Sequence, residues 1–170
     1  MVYVQGESHR TPGGRYATIY DAMANQTHLL IAGRTGSGKS VVVNGIIHYQ
    51  LVRKTCTDAQ FILIDPKRVE LSQWKHTPHC IFYASDEPSE RLQALMIAVR
   101  IIEDRFEYMD NNRLKKYDGG DVYVIIDELA DIMTTQKNDV LPLLQRIGQI
   151  GRAAKVHLIA CTQCPSAEIL

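Results

Sequence analysis

The sequence has no apolar run near the ~20 residues needed to cross a bilayer, so no membrane-spanning helix is expected within it. Its start, Met1-Val2-Tyr3-Val4-Gln5-Gly6-Glu7, lacks a basic stretch followed by an apolar one. No secretory signal is expected, and a cytoplasmic setting is. Neither sign of charge is in excess: 19 Lys and Arg stand against 19 Asp and Glu. That excludes a uniformly basic, nucleic-acid-coating surface. It leaves room for a local basic loop, or for a channel formed between subunits. There is no internal repeat and no low-complexity segment. Cysteine is scarce, at four positions: Cys56, Cys80, Cys161 and Cys164. Cys161-Thr162-Gln163-Cys164 is a C-x-x-C, but a zinc site needs a second Cys/His pair and none lies close by. A redox pair belongs just before a helix, whereas this one ends an apolar run and precedes Pro165. The pair is read as coincidental, and the cysteines as reduced.

What is present suits one folded domain. The chain has 170 residues, and 45% of them are hydrophobic, enough for a sizeable core. Short runs rich in Ile, Val and Leu recur at 28–33, 60–65, 80–84, 122–127 and 156–161, as buried parallel strands do. Helical patterns fall between them. The clearest runs from Pro88 to Asn111, where Leu92, Leu95, Val99, Ile102, Phe106 and Met109 share one face. Ser85 or Asp86 is its expected cap, with Pro88 in the first turn. Lys39 to Arg53 and Val140 to Gln149 are the other main helices, and Gly119-Gly120 breaks the chain before the fourth core strand. A short edge strand is expected from Arg15 to Tyr20. Strands alternating with helices predict an α/β fold: a mainly parallel sheet with helices on both faces.

Gly33-Arg34-Thr35-Gly36-Ser37-Gly38-Lys39-Ser40 reads G-x-x-x-x-G-K-S, a phosphate-binding loop. Glycines let backbone N–H groups turn inward around phosphate oxygens. A helix starting near Lys39 adds the positive end of its dipole. The Lys39 ammonium would reach the β- and γ-phosphates, and the Ser40 hydroxyl would ligate Mg²⁺. The apolar runs on either side, His28 to Ala32 and Val41 to Ile47, give the strand–loop–helix context that this mechanism requires. Gly33 through Val41 is the candidate nucleotide-binding set.

A second site follows the fourth core strand. Val122-Tyr123-Val124-Ile125-Ile126 ends in Asp127-Glu128, and parallel sheets bind ligands at the carboxyl ends of their strands. Asp127 would face Mg²⁺, usually through water, and Glu128 would polarise the water attacking the γ-phosphate. Two strand candidates, 60–65 and 80–84, lie between the loop and this acidic pair. The arrangement looks like the RecA-like, additional-strand, catalytic-Glu class of P-loop NTPases. Kinases and small GTPases lack this glutamate, and no guanine-reading Asn-Lys-x-Asp run is found. A third position, Thr162-Gln163, ends the last strand. It reads equally as an ordinary polar strand end or as a γ-phosphate contact.

Several stretches, in order from about residue 28 to 166, resemble the motor domain of FtsK/SpoIIIE-type DNA translocases. They are His28 to Val41, Phe61-Ile62-Leu63-Ile64-Asp65-Pro66-Lys67 with Glu70-Leu71, and Thr77-Pro78-His79. Ile102-Glu103-Asp104-Arg105-Phe106, Ile126 to Asp131, Gly151-Arg152-Ala153-Ala154-Lys155-Val156-His157-Leu158 and Thr162-Gln163-Cys164-Pro165-Ser166 complete the set. The resemblance implies an ATPase that uses ATP and Mg²⁺ to move double-stranded DNA, working as a hexameric ring. It implies Lys39, Ser40, Asp127 and Glu128 in the roles above, Gln163 as γ-phosphate sensor, and Arg152 as a finger reaching a neighbour's ATP. Arg152 reads equally as a surface arginine pairing locally. Asp65 and Lys67 could couple the nucleotide site to a moving loop. Related motor domains serve conjugation and protein secretion, and a nucleotide-binding scaffold without turnover is a further alternative.

Three departures stand out. Cys164 occupies a position where the family has Arg. Arg34 replaces a smaller loop residue. The chain stops at Leu170, where family motor domains continue. The expected organisation is an N-terminal extension over 1–27 and a motor core over 28–170 that is truncated at its C-terminal side. Membrane attachment would come only through regions outside this chain, and the P-loop strand would lie near a sheet edge. Arg113, Lys115 and Lys116 beside Tyr117 form a basic cluster that reads as a solvated loop or a DNA contact.

Overall fold

A computed structural model describes residues 27–163. The expected strand at Arg15 to Tyr20 lies outside them, as do Cys164 and the residues after it. The elements are β1 (His28–Ala32), α1 (Lys39–Arg53), β2 (Ala59–Ile64), a short 3-10 turn (Ser72–Trp74), β3 (Cys80–Ala84), α2 (Pro88–Asn112), β4 (Asp121–Ile126), α3 (Leu129–Ile150) and β5 (Val156–Thr162). All five strands are parallel, in the order β1-β5-β4-β2-β3. β1 is therefore an edge among the described residues, as expected. The strand separating β1 from the acidic strand β4 in space is β5, which follows both in sequence.

The alternation of side chains along each strand divides the core in two. Phe61, Leu63, Tyr123, Ile125, Leu29, Ile31, Ile159 and Cys161 face α1 and meet Val43, Ile46 and Ile47. Ile62, Ile64, Val122, Val124, Ile126 and Ala160 face the other side and meet α2 and α3. Both faces are thus covered, which explains the near-continuous apolar runs of β2 and β4. Burying each such Ile or Phe contributes about 1.5–3 kcal/mol.

Two helix boundaries differ from expectation. The α2 N-cap is Glu87, with extended backbone and no side-chain cap. Ser85 and Asp86 do not cap it. Instead the Ser85 N–H and hydroxyl both donate to Glu90 Oε2, at 2.9 and 2.6 Å. Arg91, buried on the apolar stripe of α2, donates to the carbonyls of Ser85 (3.1 Å) and Asp86 (2.6 Å). The third helix begins at Leu129, not Val140, and kinks at Gln136 (φ −139°, ψ 26°). Thr134 and Thr135 before the kink donate their hydroxyls to the carbonyls of Ala130 and Asp131, a habit that bends helices. Gln136 fixes the bend by donating to the Pro88 carbonyl at 2.8 Å. The Leu129–Thr135 half was hidden by this poor helix-forming run.

At the N-terminal ends of the strands, Asp121 accepts from Lys54 Nζ at 2.6 Å and lies 3.0 Å from His157 Nε2. Burial opposes its ionisation, but these two partners outweigh burial and hold its carboxyl well below the usual range. The opposite, carboxyl-terminal edge of the sheet carries the loops that follow β1, β2 and β4, and Gln163 directly after β5.

Candidate nucleotide site

The loop after β1 is shaped by its glycines. Gly36 (φ 79°) and Gly38 (φ 90°) adopt the left-handed conformation that costs other residues strain. Gly33 donates its N–H to the Thr162 carbonyl at 3.1 Å, tying the loop to the end of β5. Ser37 N–H donates back to the Arg34 carbonyl at 3.1 Å, closing a turn. Lys39 lies inside that turn and donates to the carbonyls of Gly33 (2.5 Å) and Arg34 (3.1 Å). The N-terminus of α1 has neither a side-chain cap nor an acidic residue in its first turn. Its orphan N–H groups and positive dipole end face the loop, as an anion site requires.

A cleft of about 560 Å³ opens there. Thr35, Gly36, Gly38, Lys39, Ser40 and Val41 line one side, and Asp127, Glu128 and Gln163 another. The loop after β2 supplies Lys67, Val69 and Glu70. The predicted residues therefore converge, with three exceptions among those of the loop: Gly33, Arg34 and Ser37 belong to the turn but not to the cleft wall. Arg152 is absent from the cleft altogether. It precedes β5, at the far end of the sheet, beside Lys115 and Lys116. A strand as long as β5 spans roughly 20 Å.

The two acids differ in setting. Asp127 anchors through its N–H to the Ile64 carbonyl at 3.0 Å, one step beyond the paired residues Ile64 and Ile126. Burial raises its carboxyl pKa to about 6, and the nearby Asp65 and Glu70 add to the rise while Lys67 opposes it. Glu128 is buried. Its Oε1 accepts the Gln163 N–H at 3.1 Å, and its Oε2 lies 3.6 Å from Lys67 Nζ. Thr35 donates its hydroxyl to Gln163 Oε1 at 2.9 Å. Loop, acidic pair and strand end are thus one connected network.

Among the described residues, no cluster of three or more His, Cys, Asp and Glu side chains forms a cation cage. The donors do fit Mg²⁺ carried in by a phosphate ligand, since Ser40 and Asp127 share the cleft. A hard cation with oxygen ligands from substrate phosphates and one or two side chains is the usual form of such a site. A cation there would also offset the share of the Asp127 rise that comes, after burial, from Asp65 and Glu70.

The loop after β2 is built on an inward-facing aspartate. Asp65 is fully buried. It accepts N–H groups from Leu71 (3.0 Å) and Val69 (3.4 Å) and the Tyr83 hydroxyl (3.3 Å). Arg68 follows in the left-handed region (φ 56°) and turns the chain. The Asp-Pro-Lys spacing was the available signal; it does not show that the aspartate faces inward.

The FtsK/SpoIIIE family model matches residues 10–123 and 120–167. The chain belongs to the FtsK/SpoIIIE family. It is 35% identical over 167 residues to the DNA translocase FtsK of Lactococcus lactis subsp. cremoris (strain MG1363), covering 87% of this chain and 22% of that protein. It is 37% identical over 162 residues to the DNA translocase SpoIIIE of Bacillus subtilis (strain 168), covering 84% and 21%. The chain thus spans about a fifth of the length of these relatives. Among solved structures it is similar to the pCW3 conjugation coupling protein TcpA with ATPgS (TM-score 0.70, 22% identity, 85% of this chain and 45% of that one). It is also similar to EssC, ATPases 2 and 3, from Geobacillus thermodenitrificans (TM-score 0.73, 13% identity, 84% and 30%). These likenesses establish a P-loop ATPase fold for this family member. Among the described residues no helix is long and apolar enough to cross a membrane.

Proposed function

We propose that this chain is the ATP-hydrolysing core of a DNA translocase, working in the cytoplasm. The observation that carries the reading is Glu128: a buried carboxylate, joined to Gln163 and facing a glycine-rich loop across one cleft. That is the disposition of a group that polarises a water, not of a kinase, which passes phosphate to another substrate. The α1 N-terminus and Lys39 would hold the triphosphate, Lys39 exchanging its loop carbonyls for phosphate oxygens. Mg²⁺, held by Ser40 and through water by Asp127, would neutralise charge on the β- and γ-phosphates. Glu128 would orient and polarise the attacking water. Gln163, bonded to both Glu128 and Thr35, would sense the γ-phosphate.

Arg152 fits a role across subunits. From the opposite end of the sheet it has no reach to its own cleft, so its guanidinium would serve a neighbour's nucleotide in a ring, which we take to be hexameric. The family relatives named as DNA translocases support double-stranded DNA as cargo. The likeness to the conjugation coupling protein TcpA, and to the Type VII Secretion ATPase EccC of Thermomonospora curvata (TM-score 0.68, 24% identity, 83% of this chain and 16% of that one), supports a second reading, in which the same hydrolytic core drives a coupling or secretion machine.

The test is phosphate release with and without duplex DNA. Wild-type protein is expected to hydrolyse ATP faster with DNA, and Lys39→Ala and Glu128→Gln to lose turnover. Turnover indifferent to duplex DNA would favour the second reading. Tight ATP binding without phosphate release under any condition would leave a nucleotide-binding scaffold.

A further inference from the structure

Both oxygens of the Glu128 carboxylate are engaged by this chain's own groups. Oε1 takes the Gln163 N–H, and Oε2 faces the Lys67 ammonium at 3.6 Å. A water polarised for attack needs a lone pair of that same carboxylate, and the ammonium competes for it. The pairing is asymmetric. The Glu128 side chain is 8% exposed, whereas that of Lys67 is 51% exposed. Lys67 is therefore free to swing outward into water, and Glu128 is not.

The segment that carries Lys67 is a turn pinned to Asp65, whose carbonyl accepts the Arg68 N–H at 3.1 Å. Buried Asp65 fixes its root through the N–H groups of Val69 and Leu71. Beyond it, Trp74 Nε1 (2.6 Å) and Gln73 Nε2 (3.2 Å) donate to Asn44 Oδ1 on α1. The backbone of this turn is fixed, but the side chains of Lys67, Arg68 and Val69 are exposed, Val69 by 68%. Arg68 pairs with Asp86 at the start of α2. The result is a strap at the cleft with a fixed backbone and three side chains turned to solvent, where contact with cargo or a neighbouring subunit would draw the Lys67 side chain outward without unfolding the turn.

We propose that Lys67 is a positioning residue that restrains Glu128, and that contact at the exposed 67–69 side chains draws its ammonium away and releases the carboxylate for hydrolysis. The inference rests on the ATPase reading above. With the Lys67 end half in water the pair contributes about 1 kcal/mol, which sets the restraint at about fivefold in rate at one tenfold per 1.36 kcal/mol.

The experiment is steady-state phosphate release by the full chain without DNA, for wild type, Lys67→Met and Lys67→Arg, with melting curves to confirm folding. Lys67→Met is expected to raise kcat about two- to fivefold with KM for ATP unchanged, and Lys67→Arg to stay at the wild-type rate. With duplex DNA the two should converge, so the stimulation ratio falls. Adding Glu128→Gln to Lys67→Met should remove the gain. An unchanged kcat, a lower one, or a raised KM overturns the inference; the last two outcomes would make Lys67 a ligand of the nucleotide. A gain that survives Glu128→Gln also overturns it. If wild type and Lys67→Met both release no phosphate with or without DNA, the ATPase reading itself fails and the inference falls with it.

Discussion

Thr35 and Gln163 are joined by one hydrogen bond, 2.9 Å from the threonine hydroxyl to the glutamine side-chain oxygen, across 128 positions of sequence. It connects the phosphate loop to the end of β5. The Gln163 backbone N–H separately holds Glu128, so the side chain can be removed while that bond stays. Gln163→Ala is therefore expected to lower kcat by about 10- to 100-fold through lost alignment, with KM for ATP changed by less than about threefold. A raised KM with kcat intact would show that Gln163 serves binding alone.

Asp65 gives a stability prediction. Its buried carboxylate accepts two N–H groups and the Tyr83 hydroxyl. Burial, followed by the nearby Asp65 charge, pushes the Tyr83 phenol up to about 12. Asp65→Asn puts an NH₂ group where an acceptor stood and should cost about 2–3 kcal/mol. At this size that is a Tm drop of roughly 5–10 °C. Tyr83→Phe should cost about 1 kcal/mol, and the double variant less than the sum, because the two share one bond. Strict additivity in urea melts would contradict the shared bond.

The outline of this fold was readable because buried parallel strands are runs of Ile, Val and Leu, and each of the five lies within a residue or two of its expected bounds. The phosphate loop and the Asp127-Glu128 pair were readable for another reason: their chemistry fixes residue types at fixed spacing. The order of strands was not readable. Nothing in Val156 to Thr162 says that it slots between β1 and β4, yet that placement brings Gln163 to Glu128. The strap was equally hidden, since the role of Asp65 depends on backbone N–H groups four and six residues ahead, which carry no side-chain signature. Arg152 shows the opposite case. Its motif is plain in sequence, and only the fold shows that it lies too far from its own cleft to act there.

His28 provides a pH dependence. It is paired in register with Leu158, whose N–H donates to His28 Nδ1 at 3.0 Å. Burial first, then neighbouring His157, lowers the imidazole pKa to about 4 from 6.5. The unfolded chain therefore binds the proton more readily than the folded one. The stabilisation is complete above about pH 6.5 and is lost as pH falls from there toward 4, at no more than about 1.4 kcal/mol per pH unit. Tm should drop between pH 7 and pH 5. His28→Asn keeps an acceptor for the Leu158 N–H and removes the titration, so its Tm should fall less over the same range. Parallel Tm profiles for the two proteins would sink the assignment.

Arg105 holds the turn that directly follows Arg152. Its Nη1 donates to the carbonyls of Ala154 (2.6 Å) and Lys155 (3.2 Å), and its guanidinium lies 4.3 Å over the Tyr117 ring. Tyr117 in turn donates its N–H to the Ala153 carbonyl at 2.9 Å. Lys155 in this turn is left-handed (φ 53°) and reaches the Gly119 carbonyl at 2.8 Å. The turn is therefore held by a planar group that lysine replaces poorly, because an ammonium is a compact point charge without the flat face that stacks on the Tyr117 ring. Arg105→Lys is expected to cost about 1–2 kcal/mol and to speed amide exchange at 153–156 while leaving α1 unaffected. If Arg152 serves a neighbour's cleft as proposed, the same substitution should lower turnover only in assembled protein. Mixing inactive Arg152→Ala with inactive Lys39→Ala subunits tests that directly. Each supplies what the other lacks, so activity should return in mixed rings, and a mixture as silent as its components would return Arg152 to the surface.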